Sequence, residues 1–243
     1  MASYAIIAAG GLGTRMQLKP GLSKQFLKIN RTPVVIHTLR AFEVCPFISE
    51  IAVGISNEGM SSLKSFIKKY DLKKVTVTVL GGNERQDSIN NALQALRPKL
   101  KENDIIHIHD GARPFILPSD IERINNAAIK SGAAVPATKP KDTLKTIQKE
   151  GLFFSETLDR SRIRQVQTPQ AFRAELILEA HEKAQSEGFY GTDDATLVEK
   201  YFPSALISIV ETDYFNIKIT TPEDLDFAQA IYKRRQNHKN LLF

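Results

Sequence analysis

Apolar positions along the chain fall into two alternating rhythms. Tyr4–Ala9, a continuous apolar run, reads as a buried strand, and Glu50–Ile55, Val75–Leu80 and Asp104–His109 read as further strands. The segments between them repeat at helical spacing. Leu63, Phe66, Ile67 and Tyr70 lie at i, i+3, i+4, i+7, and Ile89, Ala92, Leu93 and Leu96 share one face in the same way. The spacing predicts helices over Val34–Val44 and Ser62–Tyr70, and another around Ile89–Leu96. Ser119 with Glu122 reads as a capping box that opens a further helix, which Gly132 ends. Alternation of this kind predicts an α/β fold: a mostly parallel sheet with helices on both faces and ligands at the carboxyl ends of its strands.

The alternation breaks after Ala137. Asp142–Ile147 and Leu152–Leu158 flank Gln148-Lys149-Glu150-Gly151, a turn signal between two short strands. Such a hairpin buries little by itself, so it is expected to pack on something else, a second subunit being the natural candidate. The α/β pattern resumes with a strand at Arg164–Gln167, a helix from Ala174, a helix opened by Thr192 and a strand at Leu206–Val210. The last helix starts at Thr221-Pro222-Glu223-Asp224, with an N-cap threonine, a first-turn proline and early acids. Residues 1–137 and 166–243 are read as one domain and 138–165 as an inserted β-arm.

Composition changes this picture little. The 33 basic and 27 acidic residues give +6, without a basic stripe interleaved with aromatics. That balance favours phosphorylated small molecules over nucleic acid as partners. Cys45 is the only cysteine, which excludes an intrachain disulfide and a thiolate metal site. The N-terminus opens directly into a strand, and no run approaches the ~18 apolar residues of a membrane span. A cytoplasmic protein is the expectation.

Candidate chemistry sits at the strand ends. Ala8-Ala9-Gly10-Gly11-Leu12-Gly13-Thr14-Arg15-Met16 follows the first strand, and its glycines let backbone amides approach an anion. The dinucleotide pattern fails because its last glycine falls on Met16. The P-loop pattern fails because Gly13 is not followed by lysine. A tight turn alone would use the same glycines. Arg15 and Lys24 just beyond them supply what a triphosphate needs, fixed cations aimed at the charge that builds on the α-phosphoryl group and on departing pyrophosphate. Gly81-Gly82-Asn83-Glu84-Arg85-Gln86-Asp87-Ser88 ends the third strand and suits either a base or ribose, or a plain strand–helix turn. His107-Ile108-His109-Asp110-Gly111-Ala112-Arg113-Pro114 ends the fourth, where Asp110 is well placed for Mg²⁺. His107 and His109 share a strand face but lack a third ligand at recognisable spacing, so they are read as packing residues.

Taken in order with Asp142-Thr143, Asp159-Arg160, Gln167-Thr168-Pro169-Gln170, Thr192-Asp193-Asp194 and Asn216-Ile217-Lys218, these segments are similar, nearly end to end, to the 2-C-methyl-D-erythritol 4-phosphate cytidylyltransferases. That family in turn resembles the wider sugar-phosphate nucleotidyltransferases. The resemblance implies a Rossmann-like domain, a β-arm that embraces a partner in a homodimer, Mg²⁺ dependence and a role in non-mevalonate isoprenoid synthesis. Carried over by position, it implies that Arg15, Lys24, Arg160 and Lys218 are catalytic. Ala8, Ala9, Gly10, Gly11, Gly82, Asn83, Ser88 and Gly111 would hold the cytidine nucleotide. Asp110, Arg113, Thr143, Arg160, Thr192 and Lys218 would hold the sugar phosphate, Asp110 would bind the metal, and Thr143 and Arg160 would act in the neighbouring subunit's site. The chain departs from the family pattern in a longer stretch between Arg15 and Lys24, in Ser23 where proline is common, in Asn83 for a usual aspartate and in Gly111 for a common alanine.

The reaction so implied is in-line attack of a sugar-phosphate oxygen on the α-phosphorus of CTP. A phosphate monoester is mostly ionised at neutral pH, its second pKa being about 6, so no general base is required. The alternatives are a ribitol 5-phosphate cytidylyltransferase of the same fold, an NAD-dependent oxidoreductase, disfavoured by Met16, and a non-catalytic nucleotide sensor, disfavoured by the pairing of Arg15 with Lys24.

Overall fold

Strand β1 (Ser3–Ala8) is apolar on both faces, and this fixes its place in the middle of the sheet. Tyr4 and Ile6 enter the core on one side, Ala5 and Ile7 the core on the other. Each fully buried isoleucine contributes about 1.5–3 kcal/mol. The computed structural model describes residues 1–11, 16, 23–149 and 151–240. A small hairpin of β2 (Lys28–Ile29) and β3 (Thr32–Pro33) leads into α1 (Val34–Glu43). Then follow β4 (Ile48–Ile55), α2 (Asn57–Lys69), β5 (Val75–Leu80), α3 (Arg85–Leu96), β6 (Ile105–Asp110), α4 (Pro118–Ser131) and β7 (Ala133–Thr138).

β4 and β6 flank β1 in parallel, and β5 lies beyond β4, also parallel. The remaining elements are β8 (Lys145–Ile147), β9 (Phe154–Thr157), β10 (Gln165–Val166), β11 (Gln170–Arg173), α5 (Ala174–Glu187), α6 (Asp194–Tyr201), β12 (Ile207–Glu211) and α7 (Pro222–Asn240). β11 inserts antiparallel between β6 and β7, and β12 completes the eight-stranded sheet in parallel beside β7. Helices α3, α5 and α6 cover one face; α1, α2 and α4 cover the other. The α/β architecture with a mostly parallel core agrees with the reading of the periodicity.

The chain leaves the main sheet at Thr138 and rejoins it at Gln165, and among the described residues β8 and β9 pair only with each other. Their turn uses Gly151 at φ +75, which closes with the Gln148 N–H on Phe153 O. Ile147, Leu152, Phe153 and Phe154 are all exposed on this hairpin.

Several helix starts differ from the sequence reading. α4 begins at Pro118, not after Ser119, because proline has its φ preset and no N–H to lose at the first helical position. No Ser119–Glu122 capping box forms, while Gly132 does end the helix, at φ +88. α6 is capped by Asp193, whose carboxylate accepts from Thr196 N at 2.9 Å, and not by Thr192. α2 starts five residues before Ser62, capped by Ser56; its first turn is polar and carries no apolar period to betray it.

Candidate active site

The carboxyl ends of β1, β4, β5 and β6 surround a cavity of about 490 Å³, within the range of small-molecule sites. The turn from β5 into α3 forms one wall. Gly82 is required there, because a Cβ at this position would stand 2.2 Å from the Asp87 Cβ. Its N–H donates to Ser88 Oγ at 3.0 Å. Glu84 and Asp87 close a reciprocal capping box at the helix start. Gly10, Gly11, Gly82, Asn83 and Ser88 line the cavity, as does Ala8 at the end of β1.

Lys24 enters from a short 3-10 turn, Lys24–Phe26, which Ser23 caps through its side chain. Ser23 thus supplies local order at the position where the family pattern has proline. Lys24 is only 8% exposed, and its Nζ donates to Ile219 O at 3.3 Å. That contact ties it to the Asn216–Ile219 segment, which Ile219 N and Asn216 Nδ2 anchor in turn to Ala112 O and Thr168 O. Lys24 and Lys218 therefore reach the same cavity from opposite ends of the sequence.

Asp110 stands at the end of β6 among three cations. Its Oδ1 accepts from Arg85 Nε at 3.0 Å; its Oδ2 meets Lys218 Nζ at 2.9 Å and Arg113 Nε at 3.3 Å. Burial alone would raise its pKa, but Arg85, Lys218 and Arg113 hold the carboxyl well below the usual carboxylate range. A second cavity of about 230 Å³ lies beside the first and shares Arg85, Asp110 and Lys218 with it. Arg113, Thr192, Thr168 and Gln170 also border it. The arrangement is two adjoining chambers with Arg85 and Lys218 paired to Asp110 at their junction, which suits joining two phosphate-bearing molecules.

The structure gathers most of the expected residues. Arg15 lies outside the described residues. Ala9 is buried in the core, its N–H engaged by Gly54 O at 2.7 Å, and does not border the cavity. Nor does Gly111, whose N–H donates to Ala8 O and whose carbonyl accepts from Thr38 Oγ1. A Cβ there would approach Ala8 O at 3.1 Å and Gln25 Oε1 at 3.0 Å, so the glycine suits the close packing around it. Thr143 and Arg160 sit exposed on the arm and border neither cavity of their own chain; Arg160 Nη1 donates to Lys141 O at 2.6 Å. Residues not assigned a role from sequence, Arg85, Ser56, Asn57 and Gln25, line the larger cavity. Arg85 stood inside the quoted glycine segment, but nothing in its spacing marks its partners.

Magnesium requires near-octahedral oxygen ligands. Asp110 has both oxygens in ion pairs, and no group of three or more His, Cys, Asp or Glu side chains able to hold a metal occurs among the described residues. The described residues thus form no all-protein Mg²⁺ cage; a magnesium ion here would rest on Asp110 together with phosphate oxygens of the substrate. His107 and His109 pack edge-on or tilted against Phe42 of α1, and each has a hydrogen-bond partner, Asn125 Oδ1 at 3.0 Å and Arg113 O at 3.1 Å. They are packing residues.

Comparison with known proteins agrees with this geometry. The family model described as IspD, 2-C-methyl-D-erythritol 4-phosphate cytidylyltransferase, matches residues 3–234. The 2-C-methyl-D-erythritol 4-phosphate cytidylyltransferase of Chlorobium chlorochromatii (strain CaD3) is 50% identical over 244 residues, covering 99% of this chain and 96% of that one. The enzyme of the same name from Chloroherpeton thalassium is 48% identical, covering 98% and 100%. Among solved structures, the 4-diphosphocytidyl-2C-methyl-D-erythritol synthase of Anaerococcus prevotii superposes with a TM-score of 0.84 at 33% identity, covering 96% of each chain. The Thermus thermophilus cytidylyltransferase gives 0.72 at 29% identity, covering 94% of this chain and 98% of its own.

Proposed function

Since the chain belongs to the 2-C-methyl-D-erythritol 4-phosphate cytidylyltransferase family, we propose that it joins CTP to 2-C-methyl-D-erythritol 4-phosphate, giving 4-diphosphocytidyl-2-C-methyl-D-erythritol and pyrophosphate. The observation that carries the reading is the pair of adjoining cavities with Asp110 and Lys218 at their junction and Lys24 on the wall of the larger. The larger chamber takes the nucleotide, its base and ribose against Gly82, Asn83 and Ser88, its phosphates toward Gly10, Gly11 and Lys24. The smaller takes the acceptor, between Arg113, Thr192 and Lys218.

A phosphate oxygen of the acceptor forms the new bond to the α-phosphorus as the bond to the β-phosphate breaks, and pyrophosphate carries the electron pair away. The acceptor is already ionised, which is consistent with a site whose buried histidines are committed to packing. The side chains contribute alignment and charge neutralisation. Lys24, with Arg15, meets the charge that grows on the α-phosphoryl group and the leaving pyrophosphate, and Lys218 holds the incoming phosphate close to it. Magnesium arrives as the counter-ion of the triphosphate, and Asp110, where that ion would rest, also orients Lys218 and Arg113.

Residues 138–165 are proposed to be a dimerisation arm that delivers Thr143 and Arg160 to the acceptor chamber of a second copy. Their distance from both cavities of their own chain and the exposed apolar tip support this reading. A pyrophosphate-release screen of all four nucleotides against methylerythritol phosphate and ribitol 5-phosphate tests the function. CTP with methylerythritol phosphate is the expected best pair; preference for another nucleotide or for ribitol phosphate would refute it.

A further inference from the structure

Arg85 opens α3 between the two chambers and borders both. Its guanidinium joins two carboxylates that are far apart in sequence. Nε donates to Asp110 Oδ1 at 3.0 Å and Nη1 to Asp194 Oδ2 at 2.8 Å. Asp194 is the first residue of α6 and is 2% exposed; its other oxygen meets His181 Nε2 of α5 at 3.3 Å. The line His181–Asp194–Arg85–Asp110 thus runs from the helical layer to the end of the central strand β6.

The charges decide what this line does. Asp194 neutralises Arg85, so Arg85 adds little net attraction for phosphate. Lys218 and Arg113 both act on Asp110 Oδ2, and Arg85 alone among the described residues holds Oδ1. With Oδ1 fixed, the plane of the Asp110 carboxylate is fixed, and with it the direction from which Lys218 Nζ faces the junction of the chambers. A planar guanidinium spans two carboxylates in a way that the single ammonium of lysine does not.

We propose that Arg85, braced by Asp194, is a positioning residue that acts through Asp110 to set Lys218 against the acceptor phosphate. The inference rests on the cytidylyl-transfer reading and adds a specificity role outside the assigned nucleotide and acceptor contacts. Asp194 borders neither chamber and meets Asp110 through Arg85; the double variant separates this route from a shift of the adjacent Thr192 and Asp193, which line the smaller chamber.

The test is steady-state kinetics of Arg85→Lys, Asp194→Asn and the double variant, with circular dichroism and thermal melts on each. Arg85→Lys is expected to raise the acceptor KM about tenfold or more and to change the CTP KM by less than about threefold, since small misplacements at a reacting centre are costly. Asp194→Asn moves the acceptor KM in the same direction by a smaller factor. The double variant is no worse than Arg85→Lys alone, because both act in one line. Acceptor KM and kcat of folded Asp194→Asn within about twofold of wild type would overturn the proposal, as would a lowered Tm with unchanged KM. Asp194→Asn decides the matter should Arg85→Lys fail to fold. Wild-type enzyme runs in parallel: its failure to use methylerythritol phosphate refutes the proposed function, and the brace is then judged on whichever acceptor wild type turns over in the two-acceptor screen.

Discussion

Lys24 is nearly buried, with its ammonium against a backbone carbonyl and its end on the nucleotide chamber. A cation held this way needs little reorganisation when charge develops beside it. Lys24→Ala is therefore expected to lower kcat on the order of a hundredfold or more, comparable to losing one preorganised donor. Near-normal turnover of a folded variant would remove Lys24 from the mechanism. The histidines of β6 give a second prediction, of stability. Burial lowers His107 to about 4 and His109 to about 3, whereas the unfolded chain protonates them near ~6.5. Below that pH the unfolded state binds protons that the folded state refuses. The stabilisation is complete above ~6.5 and is lost as pH falls toward the folded values, at about 1.4 kcal/mol per histidine per pH unit. Asp110 acts in the same sense but lower, below its unfolded value of about 3.9, because its cations depress the folded one. Thermal melts from pH 7.5 to 4.5 are expected to show Tm declining from about pH 6.5, before carboxylates titrate; a flat profile to pH 5 would contradict the assignment.

At the scale of elements, the β8–β9 hairpin has every residue of β9 exposed and no strand partner outside itself among the described residues. An isolated hairpin of this length is marginal, which is consistent with completion by a second copy. In the proposed dimer, Arg160 of the arm and Lys24 of the same chain would belong to different sites. Mixing Arg160→Ala and Lys24→Ala chains, each with little activity, is expected to restore about a quarter of wild-type turnover, since half of randomly paired dimers are hybrids and each hybrid holds one intact site. No recovery after subunit exchange, confirmed by sedimentation, would place Arg160 in the site of its own chain or outside any site. The helix starts teach a smaller lesson. Gly132 and Pro222 mark helix ends by backbone conformation alone and were legible from sequence. Ser119 against Pro118 and Thr192 against Asp193 were not, because adjacent residues both able to start a helix compete, and the docking of the helix selects one.

For the whole molecule, the two chambers are formed by loops from strand ends that are remote in sequence, so a bound nucleotide ties the parallel core to the Asn216–Ile219 segment. CTP at about a hundred times its Kd is expected to add about 2.7 kcal/mol, raising Tm by about 5–10 °C for a domain of this size. A thermal-shift assay with CTP and ATP side by side checks this; equal shifts would remove the cytosine preference. No helix among the described residues is long and apolar enough to cross a membrane. The sequence by itself determined the alternation of strands and helices, the burial of β1, the inserted hairpin and the glycine turns, because each is written in neighbouring side chains and backbone freedom. It also marked Lys24, Asp110 and Lys218 as chemical residues. Only the tertiary structure decided that Asp110 sits among three cations, and that Arg85 spans to Asp194, 109 positions away. It likewise decided that β11 runs antiparallel between β6 and β7. Ion pairs and strand order are properties of which segments become neighbours, and that depends on burying all the apolar faces at once.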